Sequence, residues 1–221
     1  MKNTRILGIA FLFQFCTSLI GNAAFKARVL FADDASRTMS AMVDSPVLFW
    51  LFMALSVCTA FGVMFLGYML FDNLKTINKP ITAIAFGLYV AEGLSLLVGL
   101  WHAWGVFQLA QAPKDTALML DAVHDLLANA ELFGSGIHML LFCIGALLFY
   151  ACLVKSPIMY KAVSWWGLAC LPFLLLFTIL GFFNITVSFI FYLPYVPFEL
   201  VIGVLFLVKK TEKPAATVHA A

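Results

Sequence analysis

The chain has 221 residues, of which 64% are hydrophobic and only 11% charged, with a formal net charge of +2. Soluble domains carry about 25% charged residues, so this composition, with 23 Phe and a mean hydropathy of +1.03, excludes an ordinary soluble domain and points to a polytopic membrane protein. No basic stripe or aromatic-basic interleaving suggests nucleic acid.

A helix needs about 20 apolar residues to cross a bilayer. In chain order, six stretches qualify: Ile6–Ala24, Pro46–Leu70, Pro80–Trp101, Glu131–Val154, Ser164–Phe183 and Ser188–Val208. The first, preceded by Lys2 and Arg5, could pass for a signal peptide with Gly21-Asn22-Ala23 as its cleavage site. It is expected to be kept as a span. Between spans one and two, Phe25–Ser45 is expected to hold a short interfacial helix, with Phe25, Val29 and Leu30 on its apolar face. Pro113–Ala130 reads as a second outer helix that leads directly into span four, with Pro113, Asp115 and Thr116 as start signals. Spans five and six form a hairpin around Asn184. The fold class is therefore all-α: a polytopic six-helix transmembrane bundle with two outer amphipathic segments. Residues 1–208 form one transmembrane domain, and residues 209–221 a short polar tail.

With six spans, both termini share one face. That face holds Lys2, Arg5, Lys75, Lys79, Lys155, Lys161, Lys209, Lys210 and Lys213. The other holds Lys26, Arg28, Arg37 and Lys114. Basic residues concentrate on the cytoplasmic side, so both termini are expected there. The five cysteines, Cys16, Cys58, Cys143, Cys152 and Cys170, all fall inside apolar runs. That placement reads as packing, not as a disulfide framework.

The chemistry-bearing residues lie inside the spans. Glu92 and Glu199 sit near the centres of spans three and six. A carboxylate at that depth costs about 2.5–3.5 kcal/mol on insertion scales, so it faces a partner or a wet cavity. No Lys or Arg is expected at membrane depth, which leaves His138 as the one basic candidate and implies that at least one of the two glutamates is carried as a neutral acid. Asp121, His124, Ala128, Glu131, Ser135 and His138 share one α-helical stripe by their spacing. The outer members read equally as a solvated face, and His138 as a plain interhelical hydrogen-bonder. Span three adds Ser95 and Gly99 one and two turns beyond Glu92, and His102 between the interfacial Trp101 and Trp104. Span one carries Gln14, Thr17, Ser18 and Asn22. Pro194 and Pro197 are expected to kink span six beside Glu199 and free carbonyls there.

No HxxxH or HExxH spacing occurs, and His124 and His138 are about 21 Å apart along their helix, so they cannot share one ion. Neither a metal nor a cofactor is expected. No nucleophile elbow, P-loop or dinucleotide fingerprint is present. Gly134 and Gly136 read as sites of close helix packing.

Four stretches carry a family resemblance: RILGIAFLFQF, YMLFDNLKTINKPITAIAFGLYVAEGLSLL, LVKSPIMYKAVSWWGLACLPFLLL and PFELVIGVLFLVKK. They resemble a family of uncharacterised six-span bacterial membrane proteins, the domain of unknown function number four-three-eight-six. In that family the third span commonly has an Arg three residues before an acidic or amide residue. Tyr89 stands in the Arg position here, and Glu92 in the second. Glu199 matches the Glu of the last span, and Glu131 stands where relatives often have a His. The resemblance implies the six-span fold and the bacterial cytoplasmic (inner) membrane, but no activity.

Together these readings favour an outward-facing polar pocket that binds or passes a small molecule or proton, with Glu92, Glu131, Ser135, His138 and Glu199 as binding residues. Whether the chain is an enzyme stays open. The alternatives are a membrane-embedded, metal-assisted enzyme on lipid-like substrates, or a non-catalytic membrane subunit. The expected partners are membrane lipid and a small-molecule ligand. A homodimer is also expected, since six spans is small for a monomeric carrier.

Overall fold

The computed structural model describes residues 4–112, 116–183, 185 and 194–209. Among the described residues the chain is helical, and no strand occurs. Five helices are long and apolar enough to cross a membrane. In this numbering they are α1 (Thr4–Val29), α3 (Pro46–Leu74), α4 (Lys79–Ala110), the continuous run Leu118–Val154, and α7 (Lys161–Phe182). That fourth run is built from α5 (Thr116–Glu131), a π-helical segment (Leu132–Ile137) and α6 (His138–Val154). The short α2 (Ala35–Asp44) and the apolar α8 (Val196–Val208) complete the set. The protein is thus an all-α membrane bundle. The first part of the sixth expected span and the polar tail fall largely outside the described residues.

Several boundaries move from their sequence expectations. The first span continues past Ala24 through a second π segment (Gly21–Lys26) to Val29. Phe25 and Val29 therefore end a membrane helix instead of forming the interfacial one. The outer helix is α2, opened by Asp34, whose Oδ1 accepts the Arg37 backbone N–H at 2.8 Å. It buries Ala35, Thr38 and Met42. The outer helix before span four is present from Thr116 onward and runs without a break into the membrane, as expected. Pro197 lies in the first turn of α8, where a missing N–H costs nothing. It starts this helix and does not kink it.

Neighbouring helices close a ring in the order α1, α3, α4, α6, α7, α8 and back to α1. Small residues set the closest crossings. A Cβ on Gly8 of α1 would fall 2.7 Å from the Gly203 carbonyl of α8. Tyr89 of α4 is 1% exposed and wedges between Gly67 of α3 and Gly145 of α6; a Cβ there would lie 2.6 Å and 2.9 Å from its atoms. Glycines at such crossings let backbones approach where apolar solvent gives little drive for association. Large apolar side chains such as Ile9, Phe61, Ile84 and Phe173 point outward around the bundle, as a lipid-facing surface requires.

Two apolar clusters fill the interior. One spans the end near Thr4, with Leu7, Leu70, Phe149, Leu153 and Phe206. The other fills the opposite end, with Met42, Phe49, Phe107, Val123 and Leu127. The buried polar side chains of Gln14, Thr17, Thr59, Glu92 and Ser95 belong to neither.

Candidate functional site

The π segments decide where the polar side chains point. An i→i+5 turn holds about one residue more than an α turn, so it slips the phase of everything beyond it. Before the slip, Asp121, His124 and Ala128 of α5 are exposed, while Val123 and Leu127 are buried. After it, Ser135 and His138 turn into the bundle. The single stripe expected from spacing thus changes surroundings along its length: Asp121, His124 and Ala128 form a solvated face, while Glu131, Ser135 and His138 line a cavity.

That cavity has a volume of about 270 Å³. Its polar wall combines Ser18, Asn22 and Lys26 of α1 with Ser56 and Thr59 of α3 and with Glu131, Ser135 and His138. Its apolar lining includes Leu96, Leu100 and Ala103 of α4 with Phe52, Leu127 and Met139. Both π segments contribute lining residues. Such irregular turns are often found at functional sites.

Across the cavity Lys26 Nζ donates to Glu131 Oε2 at 2.9 Å and to Ser135 Oγ at 3.1 Å. The sequence expectation of no Lys or Arg at this level is corrected here. Lys26 rides the extra turns of α1 and reaches inward. Its signal was present, because Gln14, Ser18, Asn22 and Lys26 recur every four residues.

Irregular turns leave carbonyls without regular helical partners. One of them, the Phe133 carbonyl in the second π segment, accepts from Ser95 Oγ of α4 at 2.7 Å. At the next turn, a Cβ on Gly99 would lie 2.8 Å from the Gly134 amide nitrogen. The hydroxyl and the glycine thus press α4 against the irregular turn that presents Ser135 and His138. The packing role foreseen for Gly134 falls on Gly99, since Gly134 itself has open space around its missing Cβ. Gly136 keeps that role, with the Phe182 ring 3.2 Å from its missing Cβ.

Glu92 does not line the cavity but lies behind His138. Its Oε1 is 3.5 Å from His138 Nδ1 and not aligned for a hydrogen bond. Glu92 is 2% exposed, and Glu92 Oε2, His138 Nδ1 and Tyr89 OH are buried without a partner. Buried polar atoms without partners are rare, and each calls for an explanation such as a bound species or a chemical role.

Glu199 stands apart, in a hydrogen-bonded group on the α1–α8 side. Its Oε1 accepts from Gln14 Nε2 at 3.1 Å and from Tyr195 OH at 3.3 Å. The Tyr195 hydroxyl is 3.1 Å from that of Tyr150. Freed carbonyls beside Glu199 were the sequence expectation; the carbonyls that Pro194 and Pro197 would free, those of residues 190 and 193, lie outside the described residues. The Pro194 carbonyl itself accepts from Trp166 Nε1 at 3.1 Å. The Thr17 and Thr59 hydroxyls, 2.9 Å apart, join α1 to α3 between this group and the cavity.

His102 lies outside the cavity lining. Its Nδ1 lies 2.8 Å from the Val98 carbonyl, and its ring stacks on Phe133 at 5.9 Å. Among the described residues no group of three or more His, Cys, Asp or Glu side chains could hold a metal ion. All five cysteines are free thiols.

No curated protein and no solved structure was found to match the chain. One family model does, described as Domain of unknown function (DUF4386), and the match runs over residues 6–210. That stretch takes in all but the first two residues of the described membrane helices and every residue of the cavity, so the chain, a multi-pass all-α membrane protein, belongs to the DUF4386 family.

Proposed function

We propose that this protein binds and passes a small polar molecule or a proton through an outward-facing cavity in the bacterial cytoplasmic membrane. The observation that carries the reading is the cavity of about 270 Å³, lined by Lys26, Glu131, Ser135 and His138 among apolar side chains, in a membrane bundle. At about 30 Å³ per water, that volume suits a small solute or a short chain of waters. Intramembrane ionisable residues that face a cavity commonly mark a solute or ion path.

In this reading Lys26 and Glu131 hold the mouth, and Ser135 and His138 line the passage. Glu92 is the acid at the floor, and Glu199 a deeper acid toward α8. The basic-residue distribution supports cytoplasmic termini, which puts the Lys26 end outside. The apolar cluster of Leu7, Leu70 and Leu153 closes the cytoplasmic half, which favours an outward-open arrangement.

The test uses Ser135→Cys in a background whose five native cysteines are replaced. A membrane-impermeant thiol reagent should label it in right-side-out vesicles and not in inverted ones. Proteoliposomes containing a pH-sensitive dye should show proton flux that Glu92→Gln abolishes. A Ser135→Cys protein that is inert from both sides would sink the reading.

A further inference from the structure

The unpartnered atoms are not scattered. Glu92 Oε2 and His138 Nδ1 belong to one contacting pair, and the His138 ring is the only part of that pair that lines the cavity. A bare carboxylate this buried, with Oε2 unpartnered and Oε1 3.5 Å from His138 Nδ1, is strongly disfavoured. The surroundings offer it little other help. On its own helix the near titratable group is Tyr89, whose hydroxyl is itself unpartnered. From α3 the neighbours are Ala60 and Met64, packed on Gly93. From α6 the electrostatic neighbours are Cys143 and Tyr150, and from α8 Glu199, all acids. Lys26 faces His138 from α1 and Glu131 from the same helical run as His138, and these two are already paired with each other. The imidazole is the neighbour in direct reach of Glu92, so it is the group that can share a proton with the carboxyl.

We propose that Glu92 and His138 form a single proton-binding site at the floor of the cavity, holding one exchangeable proton between Glu92 Oε1 and His138 Nδ1. This deepens the function proposed above and rests on it for the wet side of the site. The proton count is simple. Without the proton, the pair is a carboxylate beside a neutral imidazole. On uptake, a hydronium ion in the cavity gives up one proton, leaving water, and an N–H or O–H bond forms within the pair. No electrons change hands. The imidazole is the only member in contact with the cavity, so protons enter and leave through its ring. The carboxyl stays dry, and its charge is cancelled whenever the site is filled. Closing the 3.5 Å gap to hydrogen-bond length needs only a small shift of the histidine ring.

The test is a pH titration of the full chain in lipid nanodiscs, followed by carboxyl infrared difference spectroscopy. A protonated-carboxyl band is expected that disappears in Glu92→Gln and survives in Glu199→Gln. In His138→Gln its midpoint should move by about tenfold or more in proton concentration, since the partner that shares the proton is gone. The wild-type chain offers a second, independent readout. With ¹⁵N-labelled histidine, the His138 resonance should titrate together with the carboxyl band. Persistence of the band in Glu92→Gln, or a midpoint unmoved in His138→Gln, overturns the proposal. So does a His138 resonance that titrates separately. No transported molecule enters this titration. An accessible Ser135→Cys with no Glu92 band sinks the proton site alone; a Glu92 band with an inert Ser135→Cys sinks the cavity reading alone.

Discussion

Lys26 and Glu131 meet with their side chains 23% and 46% exposed. Partly solvated pairs of this kind contribute roughly 0.2–1 kcal/mol, so their role is geometric more than energetic: they span the cavity. Lys26→Glu or Glu131→Lys alone should lower the thermal unfolding midpoint slightly and perturb labelling of the cavity. The double exchange Lys26→Glu with Glu131→Lys should restore both, read from a double-mutant cycle on unfolding in detergent. Ser95 is a sharper case. Its hydroxyl bonds the Phe133 carbonyl, and a buried hydrogen bond of this kind is worth about 1 kcal/mol. Ser95→Ala should lower the unfolding midpoint and, by loosening the π segment, change the reactivity of Ser135→Cys; unchanged reactivity would assign Ser95 to stability alone.

At the scale of elements, the π segments and the glycine crossings do the positioning. Gly99→Ala would force a Cβ to within 2.8–3.1 Å of the Gly134 backbone and the Ala130 carbonyl, both of which are rigid. Overpacking of that sort costs typically 1–3 kcal/mol, visible as a lower midpoint in thermal unfolding. Inserting one alanine between Ile137 and His138, beyond the irregular turn, should rotate α6 relative to α5 by about 100°. His138 would then leave Glu92, and any infrared coupling between the two would vanish while helix content by circular dichroism stays unchanged. Retained coupling would show that the register of α6 does not set the pair.

For the whole molecule, the basic-residue asymmetry makes a topological prediction. Reporter fusions at both termini should be active only in the cytoplasm, and His124→Cys, on the exposed face of α5, should react only from outside. The end of the last helix is held by Lys209, whose Nζ donates to the Pro157 carbonyl at 3.0 Å and lies 4.6 Å from the Tyr160 ring centroid. Removing the positive charge there, as in Lys209→Ala, should reduce the yield of correctly oriented protein.

Much of this architecture was legible in the residues. Apolar runs of membrane length mark the helices because an unsatisfied backbone in lipid is too costly for anything else. The same cost makes Glu92, Glu199 and His138 stand out as inward-facing groups. Two things were not legible. A local register slip such as a π turn leaves no mark in a 3.6-residue pattern, so spacing alone put His124 and His138 on one face. Nor does a sequence state which helix lies against which. The ring of contacts decided that Glu92 meets His138 while Glu199 meets Gln14 and Tyr195. Periodicity and composition are properties of one segment against its solvent, whereas pairing depends on crossing positions set by Gly8, Gly67, Gly99 and Gly145 packing against distant parts of the chain.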